Sequence, residues 1–203
     1  MLEKKLYVAT GNTHKVEEIA GILAPLGIQV SGMDAFGGMP AVVEDGDTFE
    51  ANSAKKARVT AATLGVPVLA DDSGLSVEAL QGAPGVYSAR FAGPDSTDEK
   101  NMLKLLEKMR EIPNRRAKFV CVISVADATG ALIGQVRGEV PGSIIHAPRG
   151  SGGFGYDLIF VPAGYDQTFA ELPGSVKNAL SHRGNALTML ISSNVLTNLF
   201  TLT

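Results

Sequence analysis

Five short runs of this chain carry side chains suited to chemistry. The densest is Ala70-Asp71-Asp72-Ser73-Gly74-Leu75. Two carboxylates and a hydroxyl are hard oxygen ligands of the kind Mg²⁺ takes, and a carboxylate there can also draw a proton from water. The plainer reading is an Asx turn capping the next element, but two charges ahead of Ser-Gly exceed what a turn needs. The run Thr10-Gly11-Asn12-Thr13-His14-Lys15 passes from a strand into a helix. A helix start reached through a glycine turn presents unpaired N–H groups and the positive end of the helix dipole, which suits phosphate, and Lys15 adds a point charge. An ordinary capped helix start has the same pattern. The run is not a P-loop, because Gly-x4-Gly-Lys-Ser/Thr is absent.

The third run is Glu44-Asp45-Gly46-Asp47-Thr48-Phe49, followed by Asn52 and Lys56. Thr48 suits a helix cap, and Glu44 just ahead of it is placed to reach a metal. Without that context the run reads as a solvated acidic cap. Lys55 and Lys56 are neighbours and point in different directions. The fourth run, Gly150-Ser-Gly-Gly-Phe154-Gly155-Tyr156-Asp157, contains Gly-x-Gly-x-x-Gly. A dinucleotide fingerprint must open a helix, whereas the Leu-Ile-Phe-Val that follows reads as a strand. The loop instead presents Phe154 to a flat ring with Asp157 nearby, or else tucks Phe154 into the core. The fifth run joins Lys177 to Ser181-His182-Arg183-Gly184 at the start of the last helix, a corner suited to anions or hydrogen-bond acceptors. His182 as a plain surface histidine is the alternative. His146 receives no role, and Cys121, inside an apolar run, reads as a small buried hydrophobe.

The elements that must hold these runs follow from periodicity and punctuation. Strands are predicted over 6–10, 28–31, 66–70, 118–127, 132–139 and 158–161. Helices are predicted over 15–26, with Asn12 or Thr13 as cap, over 48–64, stopped by Gly65, over 97–110, and from 181 to near the end. The runs 118–127 and 132–139 around Ala128-Thr129-Gly130 read as a hairpin. Early alternation of strand and helix followed by a hairpin-rich segment suggests an α/β fold, in mixed α+β form: a mixed sheet with an α+β lobe and a cleft between, as one domain of two lobes over 1–203.

Composition narrows the function classes. Hydrophobic residues are 45% and charged residues 19% of the 203, enough for a core and too few charges for disorder. The 18 Lys and Arg against 21 Asp and Glu leave a net charge of −3, which argues against nucleic acid as partner. A single cysteine points to a reducing, cytoplasmic compartment. No run reaches the ~18 apolar residues of a membrane span, so no membrane partner is expected. The 23 glycines exceed the usual ~7%, and twelve of them fall in or beside the runs above and the segment 82–90.

Taken in order, these runs resemble the inosine triphosphate pyrophosphatase family. The likeness is carried by Thr10-Gly-Asn-x-x-Lys15, Glu44 before Thr48-Phe49, Asn52-x3-Lys56-Ala57, Ala70-Asp-Asp-Ser-Gly-Leu75, Gly82-Ala-Pro-Gly-Val-Tyr-Ser-Ala-Arg90, Gly153-Phe-Gly-Tyr-Asp157, and Lys177 with Ser181-His-Arg-Gly184. It spans about residues 6–190. Ala51-Asn-Ser53 departs from the more usual Glu-Asn-Ala, and Ser76 and Glu78 stand where Glu and Asp are common.

The resemblance implies a homodimeric enzyme of two lobes around a central elongated mixed sheet with a deep nucleotide cleft, which hydrolyses the purine triphosphates ITP, dITP or XTP to the monophosphate and pyrophosphate with Mg²⁺. It implies Asp72 as the base that activates water and as a metal ligand, with Glu44 as the second metal carboxylate. It assigns Thr10, Gly11, Asn12, Thr13, His14 and Lys15 to the phosphates, with Lys56 adding charge, and Ser73 to substrate. Phe154, Gly155, Tyr156, Asp157, Lys177, His182 and Arg183 form the nucleotide pocket, Phe154 stacking on the purine. His182, Arg183 or a backbone N–H would read the 6-keto oxygen. Two alternatives remain at this point: a pyrophosphatase for other modified nucleotides, and a nucleotide-binding module without catalysis.

Overall fold

In the computed structural model, which describes residues 4–201, the strands are β1 (Lys4–Val8), β2 (Ile28–Ser31), β3 (Val68–Val77), β4 (Arg116–Ala126), β5 (Leu132–Ile144) and β6 (Phe160–Pro162). They form one sheet in the order β2-β1-β3-β4-β5-β6. β1 pairs parallel with β2 and β3, and β5 pairs antiparallel with β6, so the sheet is mixed. The helices are α1 (Thr13–Leu23), α2 (Phe49–Leu64), α3 (Asp98–Lys108), α4 (Gly174–Leu180), α5 (His182–Ser192) and α6 (Val195–Thr201). The mixed α/β class expected from the sequence is the class observed. None of the described helices is long and apolar enough to cross a membrane.

The chain divides into two compact units at four points: three fall inside the long strands, after Asp72 in β3, after Val120 in β4 and after Gly138 in β5, and the fourth falls after His182, the first residue of α5. The first unit holds α1, α2, α5 and α6. Its strands place Leu69, Cys121, Ile123 and Val125 against Ile19 and Leu23 of α1 and against Ala186, Leu187 and Leu190 of α5. Val68, Ala70 and Ala126 meet Ala57 and Ala61 of α2. Alternation along β3 therefore serves two helical layers, as a strand's period of two requires. The second unit packs Met102, Leu105 and Met109 of α3 with Leu75, Val77, Phe119 and Phe160, each such burial contributing about 1.5–3 kcal/mol.

Several boundaries differ from the sequence expectation, each for a local reason. The first helix ends at Leu23 and passes into a 3-10 turn over Ala24–Leu26, because Pro25 has no N–H with which to continue an α-helix. The last helix is broken between Ser192 and Val195, where the Ser193 hydroxyl donates to the Leu190 carbonyl and accepts from the Val195 N–H, a side-chain competition typical of serine. β5 runs through Pro141 to Ile144 rather than stopping at 139. Pro141 gives no N–H, but its carbonyl accepts from Ala163 at 2.9 Å. Residues 158–159 belong to turns, and the last strand begins at Phe160.

The largest difference concerns β3. It does not end at Ala70 in an Asp-Asp-Ser-Gly turn but continues to Val77. Its pairing with β1 is registered at Val68 and Leu69, so Asp71 and Asp72 lie in extended chain just past the end of β1. Gly74 lets the strand pass close to the 82–90 segment. A Cβ at Gly74 would lie 2.4 Å from Ser88 Oγ and 2.5 Å from the Gly85 carbonyl. The same Ser88 hydroxyl accepts from the Leu75 N–H at 2.9 Å and donates to Gly85 O at 2.7 Å. Gly74→Ala is expected to cost about 1–3 kcal/mol through overpacking. Urea unfolding measures it, and an unchanged midpoint would mean that the 82–90 segment yields freely.

Candidate active site

In the first unit, the residues between β1 and α1 build a well-formed helix entrance. Asn12 is the cap, with extended backbone and its Oδ1 accepting from the Lys15 N–H. Thr10 Oγ1 accepts from the Asn12 N–H at 3.1 Å. Gly11 leaves the space above its Cα open. Thr13 opens the helix, and His14 is exposed with Glu17 at 3.9 Å.

Lys15 does not simply project from that entrance. Its Nζ donates to Asp71 Oδ1 at 2.6 Å. Asp71 is wholly buried, and its second oxygen accepts from Arg183 Nε at 2.6 Å and from Cys121 Sγ at 3.3 Å. Arg183 also donates to Glu18 through Nη1. Burial opposes ionisation of Asp71, but the Arg183 and Lys15 charges outweigh it and hold the carboxyl well below its usual range. Burial and the adjacent Asp71 charge push the Cys121 thiol well up, so it is an inert donor. Arg183, buried itself, has its own pKa raised chiefly by Asp71 against the cost of burial. The guanidinium expected in the nucleotide pocket is thus committed to two carboxylates of its own unit.

Asp72 has a different environment. Lys56 Nζ lies 3.8 Å from its Oδ1 and donates to Glu44 Oε2 at 2.8 Å. Asp72 Oδ2 is buried and has no hydrogen-bond partner among the described residues. Burial raises the Asp72 pKa to about 6, with Lys56 and Lys15 pulling it down and Glu44 and Asp71 pushing it further up. Helix α2 positions this group. Thr48 caps it by accepting from the Ala51 N–H. Asn52 Oδ1 accepts from the Gly46 N–H at 2.8 Å, which fixes the Glu44 loop. Lys56 is one turn further along the same face. Lys55 points away to Asp45. Ser53, one of the departures from the family pattern, places its hydroxyl 3.0 Å from the carbonyls of Ala70 and Val122, next to Asp71 in sequence on one side and Cys121 on the other.

In the second unit, Ser73 is half-buried at the point where β3 enters it. Phe154 is half-buried, with Lys177 Nζ 4.8 Å from its ring centroid, a distance suited to cation–π attraction. Lys177 also reaches Asp157 at 2.8 Å, and Asp157 accepts from the Phe154 N–H at 2.9 Å. A Cβ at Gly153 would fall 2.2 Å from the Asp157 carboxylate, so this approach requires glycine. Tyr156 is buried with its hydroxyl donating to Ser88 O at 2.9 Å, and its pKa is pushed up by burial and by Asp98. His182 is buried and stacked on Phe119, centroids 4.7 Å apart and planes 12° apart.

Thr10, Asn12, Lys15, Glu44, Lys56, Asp72 and Arg183 belong to the first unit, and Ser73, Phe154, Gly155, Tyr156, Asp157, Lys177 and His182 to the second. Sequence reasoning missed Glu18, which joins the buried cluster, although its spacing of three from Lys15 puts both on one helix face. It also missed the separate duties of Asp71 and Asp72.

A raised carboxyl pKa means that the folded protein binds this proton more tightly than the unfolded chain. The contribution to stability is complete below about pH 4 and is lost as pH rises through about 6. In metal-free buffer at pH 8, Asp72→Asn is therefore expected to stabilise the protein by about 2–3 kcal/mol, with most of the gap closing near pH 4. Urea unfolding of both proteins at the two pH values measures this. Equal stability at pH 8 would refute a strained carboxylate.

The model of the Ham1 family matches residues 6–193. A protein from Exiguobacterium sp. named dITP/XTP pyrophosphatase is 49% identical, over 92% of this chain and 94% of its own. One of the same name from Deinococcus radiodurans is 48% identical, over 94% and 93%. Among solved structures, a HAM1 protein from Coxiella burnetii is 40% identical with a TM-score of 0.85, covering 96% of this chain and 98% of its own. A nucleoside-triphosphatase/dITP/XTP pyrophosphatase from Mycobacterium abscessus is 39% identical with a TM-score of 0.74, over 93% and 100%. With a full-length family match and relatives near half identity, this chain belongs to the Ham1 family.

Proposed function

We propose that this protein hydrolyses purine nucleoside triphosphates of the ITP, dITP and XTP type to the monophosphate and pyrophosphate, and that it does so in the cytoplasm as a homodimer. The observation that carries the reading is Asp72: a buried carboxylate poised near neutrality, beside Lys56 and Glu44, in a chain whose relatives bear the name dITP/XTP pyrophosphatase. A general base works best when its pKa lies near the working pH. Asp72 fits the task of orienting a water towards the α-phosphorus and taking its proton, with pyrophosphate as leaving group.

The charge balance supports a divalent cation as cofactor. Each cationic side chain assigned to substrate already faces a carboxylate: Lys15 with Asp71, Lys56 with Glu44, Lys177 with Asp157, and Arg183 with Asp71 and Glu18. With Asp72 added, the acids outnumber the bases, so these side chains alone bring no surplus of positive charge to a triphosphate. No group of three or more His, Cys, Asp or Glu able to hold a metal occurs among the described residues. Two carboxylates, one with a buried unpartnered oxygen, nonetheless fit Mg²⁺, which commonly takes one or two carboxylates and completes its shell with phosphate oxygens and water. Asp72 and Glu44 would hold it, and bound there it would neutralise phosphate charge. The first-turn N–H groups after Asn12 supply further donors to phosphate, and Phe154 offers its ring to the purine.

Incubated with dITP, the protein is expected to release pyrophosphate and dIMP, with ATP and GTP turned over far more slowly. Product analysis by ion-exchange chromatography reads this, and orthophosphate with dIDP would place the attack at another phosphorus. EDTA is expected to abolish turnover. Asp72→Asn is expected to lower kcat by about 10²–10⁴-fold, the range typical of a lost general base, while nucleotide still binds; near-normal turnover would remove Asp72 from the role.

A further inference from the structure

Phe154 is held by more than the cation over its ring. Its own N–H donates to Asp157 Oδ2 at 2.9 Å, and the N–H of Gly155 donates to Asp98 Oδ2 at 2.7 Å. These two N–H groups belong to the peptide planes before and after Phe154. Since a peptide unit is rigid, anchoring both planes fixes both soft torsions of the residue between them. Asp157 comes from the loop itself, whereas Asp98 comes from the first turn of α3, 57 positions earlier in the chain. Within the loop the Phe154 carbonyl also accepts from the Asp157 N–H, at 3.2 Å, so Asp98 adds to the plane after Phe154 a shorter, charged anchor from outside the loop.

Asp98 has a plainer duty available, since an acid in a helix's first turn favours the helix dipole. Helix α3 is already served in this respect. Thr97 caps it by accepting from the Lys100 N–H at 3.2 Å, and Glu99 supplies a second acid in the same turn. Neither reaches the 154–155 peptide. Gly155 has φ +64, a region glycine enters at no steric cost, so its backbone is among the freest in the loop and an anchor on its N–H removes much of that freedom.

We propose that Asp98 is a positioning residue that sets substrate affinity by fixing the purine-facing orientation of Phe154; this rests on the reading of Phe154 as the platform for the base. Asp98 accepts the Gly155 N–H, the Phe154 backbone is locked, and the ring is held ready under Lys177. Without Asp98 the ring samples further orientations, and ordering it falls to the incoming base, which weakens binding. The chemistry at the α-phosphorus, remote from the base, is unaffected.

The test compares Asp98→Ala, Asp98→Asn and Phe154→Ala by steady-state kinetics with dITP and by hydrogen exchange of the 154–155 amides. Asp98→Ala is expected to raise KM about 5–10-fold, as loss of one charge-assisted hydrogen bond allows, with kcat within about twofold and faster Gly155 exchange. Asp98→Asn, which keeps an acceptor oxygen but loses the charge, is expected to restore most of both. A dipole role alone would make the two variants alike, with lower thermal stability and unchanged KM, and that result overturns the proposal. Faster Gly155 exchange with unchanged KM in Asp98→Ala, while Phe154→Ala raises KM, also overturns it. An unchanged KM in Phe154→Ala would instead refute the purine platform, and the positioning role with it.

Discussion

Asp71 is ionised in a place with no access to water because two cations reach it from two helices, Lys15 from α1 and Arg183 from α5, each at 2.6 Å. An unpaired charge there would cost several kcal/mol. The compensation works only while β3 keeps its position relative to both helices, so the cluster is a geometric condition on the first unit as much as an attraction within it. Glu18 and Cys121 complete it: Glu18 takes the guanidinium's outer N–H, and Cys121 gives its weak donor to the same carboxylate oxygen as Arg183. Lys15 ties the helix entrance at Asn12 to β3, and Arg183 ties the start of α5 to the same point. Removing any of the charged partners leaves the cluster out of balance, which is where the energy of such clusters lies.

β3 then divides its two acids by simple alternation. Leu69 and Asp71 face the layer of α1 and α5; Val68, Ala70 and Asp72 face that of α2. One residue's shift along the strand thus separates a fully compensated carboxylate from an under-compensated one. On the α2 side a single ammonium, Lys56, is shared between Glu44 and Asp72, closer to Glu44 by 1.0 Å. The two neighbours respond in opposite directions, Asp71 held well below the ordinary range and Asp72 raised to about 6. That opposition is how adjacent residues of one type come to do different work.

The sequence made the types of element legible, along with most of their positions, because hydrophobic period and capping residues are local. β2, the cap at Thr48 and the presence of a helix from about residue 97 are all readable in this way. It misplaced the end of β3, because Asp-Asp-Ser-Gly has turn chemistry locally and remains extended only through distant partners: Lys15, Arg183, Lys56 and the 82–90 segment. The same limit applied to the site. Motif order identified Asp72, Glu44 and Phe154 as candidates, but a sequence does not say which carboxylate a lysine or arginine will meet. Arg183 looked like a group for the nucleotide because its neighbours in sequence are His182 and Gly184. In the folded chain its partners are Asp71, 112 positions away, and Glu18, 165 positions away. Asp98 left no sequence signal beyond that of an ordinary helix start.

The pairing of every assigned cation changes how an acidic chain with a net charge of −3 can be understood as a binder of triphosphates. Charge held in ion pairs contributes little field at a distance, and its donors are partly used. What such a site retains is directional: N–H groups at a capped helix start, an ammonium shared between two carboxylates, and a buried acid with one unpartnered oxygen. Acids in that arrangement are not a barrier to a polyanion if a divalent cation neutralises them first. A triphosphate without a metal would meet two acids that share one lysine, whereas a metal-bound one would not. A site that holds Glu44 and Asp72 one lysine short of balance is in that sense suited to the complexed nucleotide we propose as its substrate.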